Sequence, residues 1–267
     1  MAHGLSSIDW EAPWLKHWRE RGEPIAQQVK QGASVEQACN ASLAFLKRQL
    51  CMHDPGTQSI CEVEFVPQSA LPDGQAYEQF IFDTHRVPTR DGLHDFFNAL
   101  CWMHFPQAKR QLNRLQGAEI ARAGVGQVRG AVRDAATVFD ENAWLIQPSD
   151  ALWQALTTHE WTEALVTRRD EWHHTRLWTF GHAALEKLVQ PYKSITVHLW
   201  RVPREVRPEQ IDDWLAHDLT ADKLALKPFS PLPILGVPGW WPDNADPDFY
   251  EDRSVFRPRR VKRSAPA

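Results

Sequence analysis

The segment from Asp91 to Ala123 limits the folds open to this chain more than any other. Its run Phe96 to Phe105 is apolar except for Asn98 and His104, and it is about half the length a bilayer-spanning helix needs. No transmembrane segment is read anywhere. Asp91 stands where an N-cap belongs, for a helix from Gly92 to about Phe105, and Pro106 either kinks that helix or opens a second one toward Ala123. A chain of 267 residues buries roughly 70–75% of its unfolded surface, enough for a core of its own.

Around this centre the pattern predicts helices interrupted by a few strands. Pro13 suits a first helical position, with Trp14, Leu15 and Trp18 on one face. A helix over 34–50 is expected from Ser34 as N-cap, with Gln37 completing a capping box. Short alternations predict strands at 62–66 and 79–82, and a hairpin at 137–146 turning at Asp140-Glu141-Asn142. Ser149 and Asp150 cap a helix through Leu152, Trp153 and Leu156, and further helices are expected over 161–172, 180–189 and 208–217. Residues 195–202 alternate strongly and read as a strand. From Lys227 onward, Pro228, Pro231, Pro233, Pro238, Pro242 and Pro247 argue against regular helix or sheet, so an ordered arm is expected. The fold class is α+β: a mostly helical single domain with a few short strands and hairpins, carrying a Pro/Trp-rich C-terminal arm. Residues 1–252 form that domain and 253–267 a basic, flexible tail.

The basic tail shapes the charge balance. Net charge is −4, yet Arg253, Arg257, Arg259, Arg260, Lys262 and Arg263 lie in the last fifteen residues; without them 24 basic residues face 34 acidic ones, a net of −10. An acidic body with a short basic tail does not look like a dedicated nucleic-acid binder, so nucleic acid is expected only through the tail 253–267. Cys39, Cys51, Cys61 and Cys101 form no CxxC pair and no zinc-knuckle spacing, and read as reduced, buried thiols. The first ten residues lack a basic stretch followed by an apolar one, so a cytoplasmic location is expected. No GxSxG, GxxxxGK[ST] or strand-borne GxGxxG occurs, which disfavours serine hydrolases, P-loop ATPases and dinucleotide enzymes. The Gly124-Val125-Gly126 to Gly130 stretch reads as a plain loop.

Three constellations carry potential chemistry. His94 and Asn98 share a helical face, which suits a metal, a phosphate or a carbonyl, although a satisfied helix start with Asp95 offsetting the dipole explains them as well. Lys109 and Asn113 repeat that spacing and read as a solvated face. Arg133, Asp134, Asp140 and Glu141 gather carboxylates of the kind that hold hard cations or divide acid and base roles; turn chemistry is the plain alternative. His182 and Glu186 stand at i and i+4 among small residues, a ligand spacing or an intrahelical hydrogen bond, and not the HExxH motif. His173-His174 reads as an exposed helix end, and Asp243 to Asp252 as a solvated acidic face.

The stretches Arg90 to Leu100, Phe105-Pro106 with Lys109 and Asn113, Arg133 to Asn142, Gly181-His182-Ala183, Leu235 to Trp240 and Val255 to Pro258 together resemble a bacterial domain-of-unknown-function family, numbered three-zero-two-five. The resemblance implies one domain in a bacterial cytoplasmic protein and carries no catalytic role with it.

Two functions fit these residues. One is a metal-assisted hydrolase in a Trp-rich cleft: His94, Asp134, Asp140, His182 and Glu186 hold a divalent Mg, Mn or Zn ion that activates water. Glu186 or Asp134 then serves as base, and Arg133 or Asn98 places the substrate. The other is a non-catalytic domain that binds a small molecule, peptide or protein, its buried His, Asp, Glu and Asn groups being structural.

Overall fold

The computed structural model describes residues 4–53, 62–123 and 130–259. The described residues form, in chain order, α1 (Arg19–Lys30), α2 (Val35–His53), β1 (Glu64–Pro67), α3 (Tyr77–Thr84), β2 (Arg86–Thr89), α4 (Leu93–His104), α5 (Pro106–Ala123) and α6 (Ala131–Asn142). Then follow β3 (Ala143–Gln147), α7 (Asp150–Thr158), β4 (Arg176–Thr179), α8 (His182–Lys187), β5 (Thr196–Arg201), α9 (Ile211–Asp218), α10 (Ala221–Ala225) and β6 (Ser230–Pro233). Helices dominate and two small sheets complete them, an α+β fold. No helix among the described residues is long and apolar enough to cross a membrane.

The chain divides into two compact units, each assembled from three segments. Unit 1 comprises Met1–Ala143, Thr179–Gln190 and Glu205–Pro228; unit 2 comprises Trp144–Trp178, Pro191–Arg204 and Phe229–Ala267.

In unit 1 the apolar run of α4 is buried on nearly every side, as a helix without a polar face must be. Pro106 opens α5 and does not kink α4, and α5 takes its cap from afar: both Asp212 oxygens accept the backbone N–H groups of Gln107 and Ala108, each at 2.9 Å. Asp91 does not cap α4. Gly92 holds the N-cap position, and Asp91 instead accepts the N–H of Val35 at the start of α2, where Ser34 N–H also reaches Gln37. β1 and β2 pair in parallel, Phe65 opposite Val87. The strand expected at 79–82 is α3, because Phe80 and Ile81 are buried while Phe82 stays exposed, a helical face that a four-residue alternation hides.

The hairpin expected at 137–146 is likewise corrected. Residues 131–142 are α6, with Ala135, Ala136, Phe139 and Asp140 buried on one face, and only 143–147 is strand. The β-branched pair Thr137-Val138 suggested a strand, but two alanines and the i, i+4 burial favour helix.

Unit 2 holds the four-stranded sheet β4-β3-β5-β6. Its core includes Trp144, Leu145, Ile146, Leu199, Trp200 and Leu232, and the Trp144 ring packs 5.5 Å from that of Trp240. The Pro-rich arm does contain a strand: β6 runs antiparallel to β5 with His198 opposite Pro231. It is an edge strand, and its alternate residues, through Ile234 N–H to Ile195 O, face β5, so Pro231 and Pro233 fall where no donor is needed. The helix expected at 161–172 is a π turn at Glu163–Thr167 followed by a 3-10 helix at Arg169–His174. Asn244 and Tyr250 tie the arm's short turns together through the carbonyls of Leu235, Val237 and Gly236. The first part of the basic end is anchored, with Phe256 buried and the Arg257 carbonyl accepting Trp161 Nε1–H at 2.7 Å. Residues 260–267 and the 124–129 part of the glycine loop lie outside the described residues.

Candidate functional site

A cleft of about 590 Å³ opens in unit 1 between the ends of α3, α4, α6 and α8. Its floor is set by a buried ion pair. Lys109 of α5 is only 4% exposed, and its ammonium donates to Asp140 Oδ1 at 2.5 Å and to Asn98 Oδ1 at 2.8 Å. Asn98 Nδ2 then donates to the Tyr77 hydroxyl at 3.1 Å. The solvated face expected for Lys109 and Asn113 is therefore an inward face: Asn113 is also buried and donates to the Glu78 carbonyl and carboxylate.

His94 and His182 form the wall. Nδ1 of His94 lies 2.9 Å from Glu186 Oε2, and its Nε2 lies 3.2 Å from Nε2 of His182. His182 is buried, and its Nδ1, without a well-formed hydrogen bond, faces the Asp140 carboxylate at 3.7 Å. The i, i+4 pair of α8 thus does not bond internally; His182 and Glu186 both reach across to His94. Gly181 makes this possible. A Cβ there would sit 2.6 Å from the backbone of Glu141 and Asn142, so only glycine lets α8 start against the end of α6.

Environment separates the titrating groups. Burial draws His182 down to about 4, although the Asp140 charge opposes this. Burial alone would raise Asp140, but the Lys109 ammonium and the His182 imidazole hold its carboxyl below the usual range. Burial raises Glu78, and the Asp140 charge adds to the effect. Tyr77 is likewise raised by burial and by its carboxylate neighbours.

Each of the two short ring contacts needs one proton between its atoms. His94 shares one with Glu186 through Nδ1, and another, carried by either ring, lies between the two Nε2 atoms. If the proton between the two Nε2 atoms is removed without changing tautomers, two lone pairs face each other at 3.2 Å. A neutral pair meets this need when one ring carries its proton on Nε2 and gives it to the other.

Of the residues singled out in the sequence, His94, Asn98, Asp140 and His182 gather on this cleft with Arg133, and Glu186 stands behind His94. Asp134 is not among them: it pairs with Lys227 at the half-exposed outer side of α6. The buried Asp95 grips Arg90 through two hydrogen bonds at 3.0 Å. No Trp lines the cleft, and Trp18, Trp144 and Trp200 are fully buried core residues. Cys39 and Cys101 are buried, and the Cys101 thiol donates to the Phe180 carbonyl at 2.8 Å. Among the described residues no three His, Cys, Asp or Glu side chains converge as a metal-binding group. Sequence reasoning missed Tyr77, Glu78 and the role of Lys109; the signal was the flanking Ala108 and Leu112, both buried.

Fold and site together define an α+β protein whose cleft joins two histidines to a buried lysine–aspartate pair. The family model described as a protein of unknown function (DUF3025) matches residues 63–260, which hold every residue of this site, and the chain belongs to that family. No curated protein and no solved structure matches the chain.

Proposed function

We propose that the cleft is the active site of a hydrolase in which the His94–His182 pair moves protons. Glu186 and Asp140 orient the two rings, and Arg133 and Asn98 place an anionic or carbonyl-containing substrate. The observation that carries this reading is the pair of Nε2 atoms 3.2 Å apart, with a carboxylate facing each Nδ1. The proton between them goes to the leaving group, and the attacking water returns one, so the pair ends the cycle as it began. Geometry also favours a second reading, in which a divalent ion takes the proton's place. Two imidazole ligands of one tetrahedral zinc lie about 3.3 Å apart for Zn–N distances of about 2.0–2.1 Å. His94 and His182 are then the ligands for Zn, Mn or Mg, and Glu186 and Asp140 orient them from behind. Asp134, paired with Lys227, has no part in either.

The test combines elemental analysis of untagged protein with a panel of phosphoester, ester and amide substrates. Turnover that falls at least tenfold in Glu186→Gln and is lost in His94→Ala supports the site. Near-stoichiometric metal that disappears in folded His182→Ala selects the metal reading; turnover without metal selects the proton. No turnover on any substrate, with or without added Zn, Mn or Mg, overturns the enzyme reading in favour of a non-catalytic binding domain.

A further inference from the structure

A second cavity, of about 670 Å³, lies within unit 2 and shares no residue with the cleft. Its wall carries two guanidinium groups, Arg176 and Arg204, and the imidazoles of His173 and His174, against a single acid, Glu171. That acid is already engaged, since its Oε2 accepts the Ser149 hydroxyl at 2.5 Å and its Oε1 accepts Arg168 at 2.6 Å. Arg176 is held in place by donating to Gln147 Oε1 at 3.1 Å, and the buried Gln147 is fixed in turn by its bond to the Pro203 carbonyl at 2.6 Å. Neither Arg176 nor Arg204 has a carboxylate partner among the described residues, whereas Arg19, Arg90, Arg122 and Arg168 all have one.

We infer that this cavity is a binding site for a small phosphate-bearing anion. Two unneutralised guanidinium groups in one concavity focus positive potential there, and a guanidinium fork matches phosphate oxygens in pairs. The volume suits a ligand of metabolite size. The wall offers imidazoles, hydroxyls and guanidinium groups but no Phe, Tyr or Trp on which a nucleobase would stack, so the ligand is recognised by its phosphate and not by a base.

Calorimetric titration of the full chain with inorganic pyrophosphate and with inorganic phosphate, at matched ionic strength, tests this. The expected result is saturable binding with one ligand per chain, weakened at least tenfold in Arg176→Gln/Arg204→Gln and unchanged in Arg207→Gln, a surface arginine of unit 1. Arg204→Gln alone, at an exposed residue, serves if the double variant does not fold, with at least threefold weakening expected. Absence of saturable binding to either anion at low-millimolar concentration overturns the proposal, as does binding that the Arg204 substitution leaves unchanged.

Discussion

At the scale of single residues, the cleft depends on Lys109. A buried ammonium is tolerated because Asp140 and Asn98 meet it, and removing it leaves Asp140 an uncompensated buried charge. Lys109→Met is expected to lower the unfolding free energy by about 3–5 kcal/mol, measured by urea denaturation, and Lys109→Met/Asp140→Leu is expected to regain at least half of that loss. A double variant no more stable than the single one would show that the pair does not hold the floor. Gly181→Ala is expected to cost about 1–3 kcal/mol through overpacking, with the His182 imidazole resonances shifted because α8 must retreat from the α6 backbone. The fate of the carboxylates shows what could be read beforehand. His94, Asn98, His182 and Glu186 were legible from i, i+4 spacing alone. Asp134 was not separable from Asp140, because a hairpin assigns no helical face. On the helix the two lie six residues apart, roughly 240° around the axis, so one points to the cleft and the other to Lys227.

At the scale of elements, α4 and α5 were readable because a long apolar run ends at a proline that suits a first helical position, although Asp91 was misread as the cap of α4. β6 and α6 were not, since edge placement excuses prolines and tertiary burial overrides the β-branched Thr137-Val138 pair. No local pattern reveals the cap of α5 either. Its partner Asp212 lies about a hundred residues further on and joins the first turn of α9 to the first turn of α5. Asp212→Ala is expected to destabilise by about 0.5–2 kcal/mol, the range of a lost N-cap, seen as a lower denaturation midpoint with an unchanged slope. A changed slope would indicate that α9 itself detaches.

At the scale of the whole molecule, buried imidazoles set the response to acid. Burial draws His17 to about 4, His104 to about 3 and His182 to about 4, against about 6.5 in the unfolded chain. Their contribution is therefore complete above pH about 6.5 and is lost as pH falls toward these values. Asp212 acts in the opposite sense. Burial raises it to about 6, so it favours the folded state below its unfolded value of about 3.9 and gives this up as pH rises through 6. Near pH 5 the three imidazoles outweigh Asp212, and stability is expected to fall on acidification. Urea titrations across pH 4.5–7 check this, and Asp212→Asn is expected to steepen the fall. The interleaving of the two units also imposes an order in time. As the ribosome releases the chain, Lys109 and Asp140 emerge together in its first 143 residues, so the ion pair can form early. His182 and Glu186 follow only after Trp144–Trp178 has been made, and Asp212 later still, in the third segment of unit 1. The nascent chain thus lays the floor of its cleft before it owns the wall, and a message truncated before codon 182 encodes His94 with neither of the partners that fix its protons.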